Sequence, residues 1–144
     1  MDTNTKGNKI VNVIIAGSRT FNNYELLKTK CDHYLADLKD CTIQIVSGKQ
    51  VFYRKTNPES IEKFGADYLG EQYAIEREYP IIEFPADWDT YGKSAGPRRN
   101  DEMALFSDCA IIFWDGKSSG SKDMIERCKN RGLKFRVINY IDYV

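Results

Sequence analysis

Two turns built from small residues carry the side chains in this chain best suited to chemistry, and that chemistry is anion binding. Ala16-Gly17-Ser18-Arg19-Thr20 follows an apolar run over 10–15, and Asp115-Gly116-Lys117-Ser118-Ser119-Gly120-Ser121 follows Cys109–Trp114. A strand that empties through such a turn into a helix presents backbone N–H groups at the helix's positive end, where phosphate is commonly held. In the first turn Arg19 can fork onto a phosphate or carboxylate, or serve as a surface arginine. Ser18 and Thr20 either donate to the same anion or cap the following helix. In the second turn Gly116, Ser118, Ser119, Gly120 and Ser121 offer hydroxyls and amides, the alternative being a flexible loop. Asp123 either contacts a ligand or only complements a helix dipole.

Arg98, Arg99 and Asn100 follow Gly96-Pro97, where proline suits a first helical position. Two cations at a helix N-terminus call for something anionic, either a ligand or the nearby Asp101 and Glu102. Trp88 and Tyr91 precede this helix and can stack on a base or pack down as a lid.

Other chemistries lack their residues. His33 is the single histidine and sits in the body of a helix, so no Ser-His-Asp, Cys-His or metal-ligand cluster can be assembled. Any catalysis would fall to carboxylates such as Asp67, Asp87, Asp89 or Asp123. There is neither a G-x-x-x-x-G-K-[ST] nor a G-x-G-x-x-G motif. No catalytic residue is therefore assigned, no metal or cofactor is expected, and binding without chemistry is favoured over an enzyme.

Lys+Arg and Asp+Glu are both 21, so net charge gives no pull toward nucleic acid or anionic membrane. A local basic patch of Arg54, Lys55, Lys93, Arg98 and Arg99 keeps a nucleic-acid reading open. No apolar run approaches the ~20 residues that span a bilayer. Residues 1–9 read as a frayed polar tail, not a signal peptide. Cys31, Cys41, Cys109 and Cys128 show no disulfide spacing and suit a reducing cytoplasm.

One domain over 10–144 must position these residues. Strands are expected at 10–15, 42–46, 80–84, 109–114 and 134–139. The first helix starts at an Asn22/Glu25 capping box, the second near Gly65, the third at Pro97 and the fourth at about Ser121, ending at Gly132. Asp123 then falls in the first turn of the fourth helix. Residues 49–64 interrupt this alternation as an inserted polar loop with a turn at Asn57-Pro58. Strands alternating with helices predict a three-layer α/β sandwich with a mainly parallel five-stranded sheet in the order 3-2-1-4-5. Strands one and four then flank the switch point, where ligands bind outside the carboxyl ends.

The ordered set Ala16-Gly17-Ser18-Arg19, Ser47-Gly48, Gly65-Ala66-Asp67, Phe84-Pro85-Ala86-Asp87-Trp88, Gly96 to Met103 and Gly120 to Met124 resembles the YspA-like, SLOG-type Rossmannoid family of bacteria and phages. That family is related to the DprA and LOG proteins. The resemblance implies a Rossmann-like domain whose ligand-facing positions include Gly17, Ser18, Arg19, Gly65, Asp67, Arg99, Asn100, Gly120 and Ser121, with Ser47 and Gly48 beside them. It implies a nucleotide-derived ligand, ADP-ribose-like or a cyclic nucleotide, that is bound, sensed or sequestered; a homo-oligomer is also expected. Two departures stand out. The insertion at 49–64 replaces a short glycine-rich turn, pointing to a lid or subunit contact. Met124 stands where LOG-type phosphoribohydrolases carry a glutamate, and a thioether cannot do a carboxylate's acid–base work. N-glycosidic hydrolysis is the alternative function, and a DprA-like association with nucleic acid ranks below both.

Overall fold

The computed structural model describes residues 9–57 and 60–143. All but Lys9 of the expected N-terminal tail lies outside them. Five parallel strands form the central sheet: β1 (Ile10–Gly17), β2 (Thr42–Ser47), β5 (Ile81–Glu83), β6 (Cys109–Trp114) and β7 (Lys134–Asn139). Their order is β5-β2-β1-β6-β7. Counting only the sheet's own strands, this is 3-2-1-4-5; the numbering shifts because a separate hairpin, β3 (Phe52–Asn57) and β4 (Ser60–Phe64), intervenes.

The continuous apolar strands are explained by burial on both faces. Val11, Val13 and Ile15 of β1 face one layer, with Leu27, Cys31 and Leu35 of α1 (Tyr24–Leu35) and Leu69, Tyr73 and Ala74 of α2 (Ala66–Arg77). Ile14 and Ala16 face the other, with Met103 of α4 (Ala95–Phe106) and Met124, Ile125 and Cys128 of α5 (Ser119–Asn130). The result is a three-layer Rossmann-like sandwich. Each fully buried aliphatic side chain contributes roughly 1.5–3 kcal/mol to holding these layers together. Among the described residues no helix is long and apolar enough to cross a membrane.

Local structure departs from the sequence reading in five places. The expected loop at 49–64 contains an antiparallel ribbon, pairing Phe52 with Phe64 and Arg54 with Glu62. Period-two alternation is present there, but an Arg54–Glu62 ion pair replaces one apolar cross-strand pair and disguises it. The first helix is capped by Asn23, whose Oδ1 accepts from the Leu26 N–H at 3.0 Å, while Asn22 reaches Glu62 on the ribbon at 2.9 Å. The stretch before the third expected helix holds a one-turn helix, α3 (Trp88–Tyr91), capped by Asp87. α4 then begins at Ala95 and not at Pro97, which the geometry tolerates because the first helical N–H groups have no intrahelical partner. Finally α5 begins at Ser119, so Asp123 lies in its second turn, beyond the strongest part of the dipole.

Gly70 shows how tightly the layers meet. A Cβ there would lie 2.7 Å from Ile15 Cγ2 on β1. Helix propensity alone favours Gly→Ala by about 1 kcal/mol, whereas overpacking costs about 1–3 kcal/mol. Gly70→Ala should therefore lower stability in urea denaturation. A gain in stability would contradict this packing of α2 on β1.

Candidate functional site

At the carboxyl ends of β1 and β2 a small cleft of about 60 Å³ opens between the first turns of α2 and α5 and the buried face of α4. That is the space of about two water molecules, enough for one tetrahedral anion and too little for a whole nucleotide. Its walls combine Gly17, Gly48 and Gln50 from the strand ends, Asp67 from α2, Arg99 and Asn100 from α4, and Gly120 and Ser121 from α5. Met103 and Met124 line it with thioethers.

Arg99 is buried, and its Nη1 donates to the Gly48 carbonyl while Nε donates to Asn100 Oδ1 at 3.0 Å. A Cβ at 48 would meet Arg99 Nη1 at 2.6 Å and Asp67 Oδ2 at 2.9 Å, so any side chain there would have to displace these two groups. Asn100 Nδ2 continues the chain to Asp123 Oδ2 at 3.0 Å and the Gly120 carbonyl at 3.5 Å, so α4 positions the start of α5. On the opposite wall Asp67 Oδ2 accepts from the Gln50 N–H at 3.1 Å.

α5 enters the cleft without a side-chain cap at Ser118. Ser121, in its first turn, is 5% exposed, and its Oγ has no hydrogen-bond partner among the described residues. A buried hydroxyl left unpaired costs about 1–3 kcal/mol, a cost that a bound acceptor would relieve. The cleft thus gathers a guanidinium, a spare hydroxyl and the positive end of a helix. Their joint chemistry is the capture of an anionic oxygen group.

Burial sets the acid–base character of the cleft. It pushes Asp67 up from 3.8 to about 6, against the lowering effect of Arg99 and of the Gln50 N–H. Burial also draws Arg99 below its usual value, opposed by the carboxylates of Asp67 and Asp123.

Seven of the residues singled out from sequence meet in the cleft: Gly17, Gly48, Asp67, Arg99, Asn100, Gly120 and Ser121. Others hold its frame. Ser18 is buried, with its Oγ 2.8 Å from Ser118 Oγ and accepting from the Asp115 N–H at 3.1 Å, which ties the two turns together. Ser47 is also buried and donates to Glu71 Oε2 at 2.6 Å. Gly65 precedes α2 and donates to the Phe21 carbonyl at 3.0 Å. Asp123 sits behind Asn100 and is paired with Arg127 at 3.4 Å.

The remaining residues are outside the cleft wall. Arg19 is exposed, with its guanidinium 5.3 Å from the Phe52 ring centre, and Thr20 Oγ1 meets the Tyr140 hydroxyl at 3.0 Å. Gly116 and Ser119 are exposed in and just after the β6–α5 turn. The cation in the cleft is therefore Arg99 and not Arg19. Gln50 and Met103 also line it, unanticipated from sequence. Gln50 had a signal in its closeness to Ser47-Gly48, whereas Met103 reads only as a core position on a helix. His33 is exposed, and no metal-binding group of three side chains occurs among the described residues. The expected basic patch is broken up, since Arg99 is buried and Arg54 is paired with Glu62.

Compared with family models, curated proteins and solved structures, the chain matches none.

Because the folded pKa of Asp67 lies above its ordinary value, the stability it contributes is fully present below pH 3.8 and is lost as pH rises through about 6. Asp67→Asn keeps an acceptor for Gln50 but does not ionise. Relative to this variant, wild type should lose about 2–3 kcal/mol across that window, at 1.36 kcal/mol per pKa unit. Urea denaturation at a series of pH values checks this, and a flat difference would show that Asp67 titrates normally.

Proposed function

We propose that the protein binds, senses or sequesters a nucleotide-derived small molecule, seating one phosphate group in the cleft and leaving the rest outside its mouth. The observation that carries this reading is the unpaired, buried Ser121 Oγ on an uncapped helix turn, across a small cleft from buried Arg99. The cleft volume favours a single phosphate over a pyrophosphate lying wholly inside. The resemblance to SLOG-type domains supports the same ligand class, with ADP-ribose-like compounds and cyclic nucleotides as the forms to test. Phage origin belongs to that resemblance, and a cytoplasmic setting is the one that four cysteines without disulfide spacing suit. The apolar Met103 and Met124 walls supply no proton donor or acceptor, which suits retention of an intact ligand.

A hydrolytic reading has one observation in its favour. Asp67 faces the cleft with a pKa near 6, a value suited to general acid or base work near neutral pH. Incubation with AMP separates the two readings. Binding alone predicts no free base above a buffer control, whereas turnover abolished by Asp67→Asn would establish a hydrolase.

Small molecules released by denaturing the purified protein should include an intact phosphate-bearing nucleoside compound by mass spectrometry. Sulfate serves as a probe of the seat because its charge is constant across the useful pH range. Ser121→Ala should weaken sulfate binding by about 10-fold in calorimetry, about 1.4 kcal/mol. Wild-type affinity should rise as pH falls through about 6, when Asp67 becomes neutral and no longer repels the anion. Sulfate binding indifferent to both changes would remove the cleft as the anion site.

A further inference from the structure

We infer that Ser18 is a positioning residue for the anion seat: its hydroxyl holds Ser118 turned away from α5 and so leaves two helix amides open to the ligand. This role rests on the cleft being that seat, although Ser18 itself stands outside the cleft wall.

Serine is among the residues best suited to cap a helix start, and Ser118 occupies that position. α5 begins at Ser119, so its second and third amides belong to Gly120 and Ser121. A serine at 118 ordinarily turns its Oγ to accept from one of these two N–H groups. The Ser118 backbone is extended as a cap requires, at φ −64° and ψ 134°, yet no side-chain cap bond forms. Its Oγ lies instead 2.8 Å from Ser18 Oγ, across the gap between the two turns. The N–H groups of a helix's first turn have no intrahelical partner, and Gly120 and Ser121 both line the cleft.

Of the two serines, Ser18 is the fixed one. It is buried, its N–H donates to the Phe113 carbonyl at 2.8 Å, and its carbonyl accepts from the Phe21 N–H at 3.1 Å. Just before it β1 is pressed against β6, where a Cβ on Gly17 would collide with the Phe113 carbonyl oxygen. The Ser18 Oγ also accepts from the Asp115 N–H at 3.1 Å. The Ser118 backbone is held as well. Its N–H donates to Asp115 Oδ1 at 2.7 Å, and its carbonyl accepts from Trp114 Nε1 at 3.0 Å and from the Lys122 N–H at 3.2 Å. What is left to vary is rotation about the Ser118 Cα–Cβ bond, and Ser18 Oγ sets it.

That rotation separates two arrangements. With Ser118 Oγ on Ser18, the Gly120 and Ser121 amides stay uncapped beside the unpaired Ser121 Oγ, in a cleft that also holds Arg99. With Ser118 Oγ turned onto α5, one amide is capped, and an anion has to displace the hydroxyl to use it. Ser18 and Ser118 thus serve the ligand through the helix amides and do not touch it.

Sulfate titration of the full chain, followed on the Gly120 and Ser121 amide resonances, tests this together with hydrogen exchange of the same amides in sulfate-free protein. Ser18→Ala should weaken sulfate binding about 5-fold, the worth of one side-chain cap, and slow exchange at Gly120 or Ser121 by about the same factor. Ser118→Ala should bind sulfate like wild type, because the hydroxyl it removes touches no anion. Ser18→Ala/Ser118→Ala should regain the affinity and the faster exchange that Ser18→Ala loses. Both Ser18 variants leave the Asp115 N–H without its acceptor, so their difference isolates the freed Ser118 hydroxyl. A double variant as weak as Ser18→Ala, a weakened Ser118→Ala, or exchange indifferent to Ser18→Ala would each overturn the proposal. A wild type that binds no sulfate would instead remove the anion seat, and the exchange comparison would still decide whether Ser18 restrains Ser118.

Discussion

A guanidinium taken out of water must find its hydrogen bonds inside the protein, and the burial of Arg99 sets that condition on the whole cleft. Its Nη1 donates to the Gly48 carbonyl through space that a Cβ at position 48 would crowd. Its Nε needs Asn100 Oδ1, which turns the Asn100 amide group toward Asp123 and the first turn of α5. Its charge is answered by Asp67 from α2 and by Asp123. One side chain on α4 thereby ties together the ends of β2, α2 and α5. The cleft is the small space left where these elements cannot approach further.

Within that space the charges are in tension. Arg99 and the start of α5 favour an anion, whereas an ionised Asp67 opposes one. Burial moderates the conflict by lifting Asp67 to about 6, so that part of the population is neutral in mildly acidic solution. Met103 and Met124 lower the local polarity without adding a hydrogen-bond partner, leaving Ser121 Oγ dependent on whatever occupies the cleft. Such an environment is better matched to holding an anion than to passing protons through a series of groups.

Much of this architecture was legible in the sequence because the strands of a doubly covered parallel sheet are continuous apolar runs. Helix phases were also clear, since Leu27, Cys31 and Leu35 recur at the spacing of one helical face. The ribbon was hidden because its inward face is half charged: Arg54 and Glu62 satisfy each other across the strands, which no reading of a single strand reveals. Arg19 and Arg99 show a second limit. Both stand in motif-like surroundings, but a turn residue's direction depends on what its neighbours leave open, and Phe52 on the ribbon takes Arg19. The starts of α4 and α5 were placed two residues late because Pro97 and Ser121 are each plausible first-turn residues at more than one position.

The ribbon and the cleft are mechanically joined through a short tether. Lys49 adopts a left-handed backbone conformation with φ 63°, unusual for a residue with a Cβ, and its N–H donates to Ser47 Oγ at 3.1 Å. Its ammonium is fixed between Glu71 and Glu83 at 3.1 and 3.3 Å, which opposes the conformational cost. One residue later the Gln50 N–H is bound to Asp67, and the ribbon begins at Phe52. Asp67 thus holds the second backbone group before the ribbon, next to the residue whose ammonium pairs with Glu71 and Glu83. Because Asp67 also lines the cleft, one carboxylate serves both the cleft wall and the backbone that leads into the ribbon.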